Sequence, residues 1–407
     1  MLSNIIENIF NNTINKSNKG LRVTIKSNID VMEYSINQII DFKFVSTIDS
    51  FDKVDLTIPY FENYLSKNNI KHDPFLDLFT PLSFKECKVY YDDELILNGI
   101  LLSSIPSISE SSKIIQITVS ASASIINDVN IAAIEANSKF EFENMSLVEI
   151  ANEICSPYGI KTVIENIYDF KPFSKVAIEP EQTIFDFLVD LIKNEGTLIT
   201  NNSNGDLLFH KIISKLPSCI IEQDKYPFLD ASPSFNPQSF FTNIVALSEI
   251  DSDKNIKDTM GNYPMGNDIL PAPLRNNKSI FNILLKRTHI FVCKVKKGIT
   301  YDPYTSAKVK YGRMLANSIS YTLVVEGHKN NTTKELYKKG DFITVYAPNA
   351  AIMQHTTFLI KELELNRTVR GGDITTMTLV LPESYTTDIN TNELFNKLPW
   401  LKYDVNK

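Results

Sequence analysis

Apolar residues in this chain recur mostly at every second position, the period of a strand with one buried face. LRVTIK (21–26), residues 40–48 and VDLTI (54–58) read as strands, and Pro59 ends the third. After a polar stretch over 61–80, ECKVYY (86–91) turns at Asp92-Asp93-Glu94 and continues through strands at 95–105 and 113–120. Near residue 129 the period changes. Ser146-x-x-Glu149 is a capping box, and Leu147, Ile150, Ala151 and Ile154 behind it share one helix face. Pro157 and Gly159 stop that helix, and KTVIE (161–165) reads as a strand. A second helix starts at Thr183, with Ile184, Phe187, Leu188, Leu191 and Ile192 as its stripe and Gly196 suited to its C′ position. TLIT and DLLFHK then flank Asn204-Gly205, a hairpin signal.

Residues 213–240 are rich in Pro and Ser and poorly periodic; FTNIVALSEI (241–250) is a strand; 251–282, with Gly261, Pro264, Gly266, Pro271 and Pro273, reads as a long loop. Asp302-Pro303 opens a helix lined by Tyr304, Ala307, Tyr311, Met314, Leu315 and Ser318. From Ser320 to Leu381 the chain is strand-rich again, and the tail carries Trp400 and Tyr403.

Two hairpins resemble each other. KECKVYYDDELILNGILLSSI (85–105) and GDFITVYAPNAAIMQHTTFLIKELEL (340–365) each end a strand in Val-Tyr, at Val89-Tyr90 and Val345-Tyr346. Each closes in a β-branched strand, IIQITV (114–119) or TTMTLV (375–380). The offset is 256 at the valines and 260 between Thr118 and Thr378, so the second copy gains four residues in a turn. Loop length costs little free energy, so such an insertion is tolerated.

The expected fold is therefore β-rich α+β. An arm (1–20) precedes a first β-barrel domain (21–128) and a small α/β domain (129–212). A second, similar β-barrel domain (213–250 and 320–386) is interrupted by a loop/helix insertion (251–319), and a tail (387–407) follows. Two barrels per chain in a closed trimer make six similar units around an axis.

Composition narrows the function classes. The net charge is −7, and the lysine clusters are short: Lys294, Lys296 and Lys297, then Lys338 and Lys339. That argues against a nucleic-acid binder, which carries a basic stripe. Cys87, Cys155, Cys219 and Cys293 are far apart; as structural thiols they suit a protein made in a reducing cytosol. No apolar run approaches a membrane span, and MLSNIIENIFNNTINK lacks the layout of a signal peptide.

No phosphate-binding or nucleophile-elbow glycine motif occurs, and Gly371-Gly372 reads as a hairpin turn. His72, His210, His289, His328 and His355 show no metal-ligand spacing and are expected at surfaces or caps; His72-Asp73 is the nearest to a catalytic pair. Asp92-Asp93-Glu94 are consecutive, unlike the alternating ligands of a calcium loop. The expectation is no catalytic, cofactor-binding or metal residues, hence no enzyme.

Three stretches carry a family resemblance: VEIANEICSPYGIKTVIE with IEPEQTIFDFLVDLIKNEGTLITNNSNGDLLF, SASASIINDVNIAA (120–133), and VVEGHKNNTTKELYKKGDFITVYAP (324–348). The Pro157-Tyr158-Gly159 turn, the Gln182-Thr183 helix start and the glycine hairpin that follows are its most specific parts. Over roughly 20–386 the chain resembles the baseplate hub proteins of contractile phage tails, in particular the Mu-like tail hub family. That family is related to the hub part of type VI secretion spike proteins. Ser120-Ala121 stands where the family often has Gly-Arg, and His328 where it tends to have an aromatic.

The resemblance implies a non-enzymatic homotrimer whose barrels form a pseudo-sixfold torus. It would join a hexameric tail tube protein to a trimeric central spike protein, touch other baseplate proteins, and let DNA pass its lumen without specific binding. It would reside in the virion tail baseplate after assembly in the bacterial host cytoplasm, with no membrane insertion. Strands 86–105 and 342–365 are the expected interfaces. The alternatives are a tail-associated peptidoglycan hydrolase, which no motif favours, and a receptor- or carbohydrate-binding tail module, which a single Trp disfavours.

Overall fold

The computed structural model describes residues 20–27, 33–59, 78–80, 82–109, 113–130, 140–167, 172–179, 181–193, 195–241, 243–248, 260–264, 287–293, 303–368, 371–386 and 398–400. The readings made for the arm, His72-Asp73, Lys294 to Lys297, Asp302 and Tyr403 lie outside the described residues. The chain forms two compact units. Unit 1 draws on Met1–Ile125, Thr200–Leu208 and Glu364–Ile374; unit 2 draws on Ile126–Ile199, Phe209–Leu363 and Thr375–Lys407.

Unit 1 holds β1 (Leu21–Lys26), β2 (Glu33–Ile36), β3 (Asp41–Thr47), β4 (Lys53–Pro59), β5 (Glu86–Tyr91), β6 (Glu94–Ile108) and β7 (Lys113–Ala121), in the spatial order β3-β4-β7-β6-β5-β1-β2. Every pairing along this order is antiparallel. Alternation makes the core: β3 buries Phe42 and Phe44, β4 buries Val54, Leu56 and Ile58, and β5 buries Cys87, Val89 and Tyr91. Asp92 (φ 47°) and Asp93 (φ 66°) form the turn between β5 and β6. Both central residues at positive φ are what a tight hairpin with right-handed twist needs.

In unit 2, β8 (Glu141–Met145) pairs with β10 (Phe173–Ala177), and β9 (Thr162–Glu165) joins β11 (Leu198–Asn201) and β12 (Leu207–His210) in the order β11-β12-β9. Helix α1 (Leu147–Cys155) starts in the expected capping box. Ser146 Oγ accepts from the Glu149 N–H, and the Ser146 N–H donates to the Glu149 carboxylate at 2.7 Å. Helix α2 (Ile184–Ile192) is capped by Thr183 and buries the expected stripe. It stops at a C-cap on Lys193, so Gly196 lies beyond the C′ position proposed for it.

The strands β13 (Ile220–Glu222) and β14 (Phe228–Phe235) fall in the stretch read as aperiodic. Most positions of β14 are exposed, so no apolar alternation marked it, and Pro233 is tolerated because β14 has one neighbour among the described strands. A three-stranded sheet, β16-β15-β17, follows from β15 (Asn243–Ser248), β16 (Met260–Pro264) and β17 (Thr288–Cys293). Helix α3 (Pro303–Ser318) packs against β15 and β16, burying Ala307, Tyr311, Met314, Leu315 and Ser318 but leaving Tyr304 exposed. Then come β18 (Ile319–Glu326), β19 (Phe342–Ala347), β20 (Ile352–Thr368) and β21 (Gly372–Val380).

The repeat is larger than the two hairpins that revealed it. Unit 1 has the neighbour order β1-β5-β6-β7-β4-β3, and the later strands have β13-β19-β20-β21-β18-β14. Taken pairwise, these six strands also follow the same order along the chain. Both leading hairpins shift register just past the aligned valines, after Val89 in one and after Val345 in the other. The copies differ in that β1 runs antiparallel to β5 whereas β13 runs parallel to β19. The barrel expectation is met only in part: among the described residues no pairing joins the outer strands of either sheet into a closed barrel.

Candidate assembly interface

Chemistry-bearing side chains are dispersed. No group of three or more His, Cys, Asp or Glu is placed to hold a metal among the described residues. Cys87, Cys155 and Cys219 are buried free thiols. Burial pushes the Cys155 thiol up to about 12 and the Cys87 thiol further. Such groups stay protonated near neutrality and are poor nucleophiles. His210 and His328 are buried rather than at the surface as expected. His355 stacks on Tyr346 and meets Glu222 at 2.9 Å, and His289 packs on Phe241.

What the structure organises instead is sheet edges. In unit 1 the far end of β20 lies at the edge of β3. Lys43 Nζ meets the Glu364 carboxylate at 2.7 Å. Arg367 grips Asp373 with two donors, at 2.5 and 2.6 Å, and donates to Tyr91 Oη at 3.0 Å. Tyr91 Oη donates to Asp373 at 3.2 Å. Burial foremost pushes the Tyr91 phenol up to about 12, against the opposing pull of Arg367. The phenol therefore stays neutral and available as a donor.

The turn within residues 200–208 is clasped in the same unit. Asn98 donates from its N–H to Ser203 O at 2.8 Å and from Nδ2 to Asn204 O at 2.9 Å, and the Ala123 N–H donates to Gly205 O at 3.0 Å. Asn201 pairs with Asp52 twice, at 2.7 and 3.0 Å.

Among the described strands, β2 and β13 each have a single neighbour, and two further edges are open along the repeated unit. Strand β5 accompanies β6 only as far as Ile100, with one more bond from the Leu101 N–H to Lys85 O at 2.9 Å. Beyond that, Ser103–Ile108 pair with β7 alone. Strand β14 pairs with β18 alone. Both open edges carry exposed apolar side chains: Leu102 (44%) and Ile105 (57%) on β6, Leu229 (49%) and Phe235 (47%) on β14. Phe235 also packs edge-on against Tyr321 and Trp400.

The segments expected as interfaces fare unevenly. Strand β19 is nearly all buried, whereas the far half of β6 is open. Strand β14 lies outside both expected segments. Its only sequence signal was a proline in a Ser-rich stretch, which reads as loop.

Residues 131–211 match the family model described as baseplate hub protein gp44-like, second domain. The baseplate hub protein gp44 of Escherichia phage Mu is 21% identical over 258 residues, 62% of this chain. The matched region spans 64% of that relative's length. The 43 kDa tail protein of prophage MuSo2 from Shewanella oneidensis superposes with a TM-score of 0.66 at 18% identity, covering 89% of this chain and 99% of that one. The E. coli c3393 protein, a component of the type VI secretion system, superposes at 0.53 with 9% identity, covering 88% of this chain and 76% of that one. Residues 131–211 thus match the second domain of gp44-like baseplate hub proteins, and the resemblance of the chain to Mu-like baseplate hub proteins, read from its sequence, is borne out.

Proposed function

We propose that this protein is a non-enzymatic baseplate hub of a phage or phage-like contractile tail. It acts as a homotrimeric, pseudo-sixfold adapter between the hexameric tail tube and the trimeric central spike, with a lumen through which DNA passes. The observation that carries the reading is the duplicated six-strand unit, in one spatial order and one chain order, within a single chain. A three-chain ring needs two similar units per chain to meet a sixfold partner. The gp44-like match over 131–211 supports the tail context.

We assign the domains as read from the sequence: the repeated units at 21–128 and at 213–250 with 320–386, the α/β domain at 129–212, and an insertion at 251–319, with β15 at the end of 213–250 pairing into the insertion's sheet rather than the repeat. The acidic balance, a net charge of −7, suits a channel that must release DNA. Light scattering on the purified protein, alone and mixed with the tube and spike proteins of its own particle, tests the reading. The expected mass is three times the 46.2 kDa chain. A monomer at high concentration that stays monomeric with both partners refutes it.

A further inference from the structure

We infer that the ring is sewn by strand pairing: the open edge of β14 in one copy pairs with the open far half of β6 in the next copy, head to tail. This rests on the ring reading above and names the surfaces that make it.

The repeat supplies the argument. Strand β20 is the counterpart of β6, and β3 is the counterpart of β14. Strand β20 leaves its hairpin partner β19 near Ile360, and its far end then lies beside β3 in unit 1. Strand β6 leaves β5 near Leu101 in the same way; its far half lies beside no described strand except β7, and its contact with the segment before β5 is the bond from Ser104 Oγ to Phe79 O at 2.9 Å. Strand β14 presents the edge that β3 gives to β20, and no described strand lies on that edge either. Each chain thus fills one such edge internally and leaves one of each half open, at β6 and at β14. The two open halves are complementary rather than self-complementary, so copies joining through them form a heterologous contact that must close into a ring or run on as a fibre.

Exposure points the same way. Unpaired, apolar edge strands are unusual in monomers because they template pairing. Pro106 and Pro233 each remove one backbone donor, so the ladder is short and apolar contact carries a large part of the association. The internal edge has the Lys43–Glu364 ion pair, whereas Leu102–Ile108 carries no charge. Salt should therefore change the association of copies little.

Cysteine pairs test the contact in the full chain, in a Cys293→Ser background; the three described native thiols are buried. Each of Ser103→Cys, Ile105→Cys and Ser107→Cys is combined with each of Asp230→Cys, Ser232→Cys and Ser234→Cys, then oxidised and run on a non-reducing gel. The expected result is that at least one pair yields covalent chains of two and three copies and nothing larger. Two singly substituted proteins, one on each strand, should give only mixed dimers when combined. Cross-linking of β6 to β6 alone, or no cross-link in a protein that light scattering finds trimeric, overturns the edge pairing and leaves the ring standing. A protein that stays monomeric with its tube and spike overturns both.

Discussion

Gly205→Ala should cripple unit 1 far beyond the cost of its backbone conformation. Gly205 has φ +80°, and a Cβ there would lie 2.2 Å from the Asn98 carbonyl oxygen of β6. Left-handed backbone alone costs an L-residue about 1–2 kcal/mol. The contact adds more, because a backbone oxygen held in a ladder cannot swing aside. The turn must instead move away by about 1 Å to reach an ordinary van der Waals separation. That shift lengthens the two bonds from Asn98 to Ser203 and Asn204 and the bond from Ala123 to Gly205, at 2.8, 2.9 and 3.0 Å. At about 1 kcal/mol for each bond lost, the total is about 3–5 kcal/mol.

Gly372→Ala is the control in the same unit: φ is +73°, but nothing lies within 4 Å of its added Cβ, so only the backbone cost of about 1–2 kcal/mol applies. Cys87, buried in β5, reports the opening of unit 1. Its labelling by a thiol reagent in native buffer, followed by mass spectrometry, should be about 30-fold faster in Gly205→Ala than in Gly372→Ala, the equivalent of about 2 kcal/mol. Equal labelling rates would refute the close-approach argument and reduce Gly205 to an ordinary turn residue.

Arg367→Ala should destabilise unit 1 by about 1–2 kcal/mol in urea unfolding, discounted because both partners of the Asp373 pair are about a third exposed; Arg367→Lys, which loses the bidentate grip, should recover less than half. Ser146→Ala should lower stability by about 1 kcal/mol through the cap of α1, measured by the same unfolding curve. The Glu149 carboxyl is held below its usual range by the Ser146 N–H and hydroxyl. Its contribution is present above the unfolded-state value and is lost as pH falls through the depressed folded one; Ser146→Ala keeps the N–H and loses only the hydroxyl, so the gap between wild type and variant should narrow on acidification without closing.

Local signals in the sequence were reliable where one residue type decides a backbone geometry. The capping box at Ser146, the cap at Thr183 and the stripes of α1 and α2 follow from side chains that touch their own helix. Strands with one buried face, such as β4, announce themselves by alternation. Strand β14 does not, because six of its eight positions are exposed and none is buried, so no apolar alternation marks it. Likewise the repeat was legible only in its hairpins. The equivalence of β3 with β14 and of β4 with β18 rests on spatial order, which no residue pattern encodes. His328 is buried although the polar stretch after it gives no apolar pattern to signal that burial.

The two copies diverge where divergence is cheap. In unit 1 the β3–β4 ladder resumes after residues 46–52, with Val45 opposite Lys53. Its counterpart resumes after residues 236–318, with Phe235 opposite Ile319. Lengthening a flexible loop from seven residues to eighty-three costs only about 2 kcal/mol in closure entropy. The sheet of β15–β17 and the face of α3 packed on it offset that cost with their own buried residues, among them Ile244, Ala246, Tyr311 and Leu315. The edges that carry the proposed pairing are therefore free to stay alike while the connections between them change. Under the proposed ring, six near-equivalent edge contacts would then coexist with insertions and α/β domains that occur three times each. One chain can thus carry sixfold and threefold features on separate parts of its sequence: strand edges for the first, loop insertions for the second.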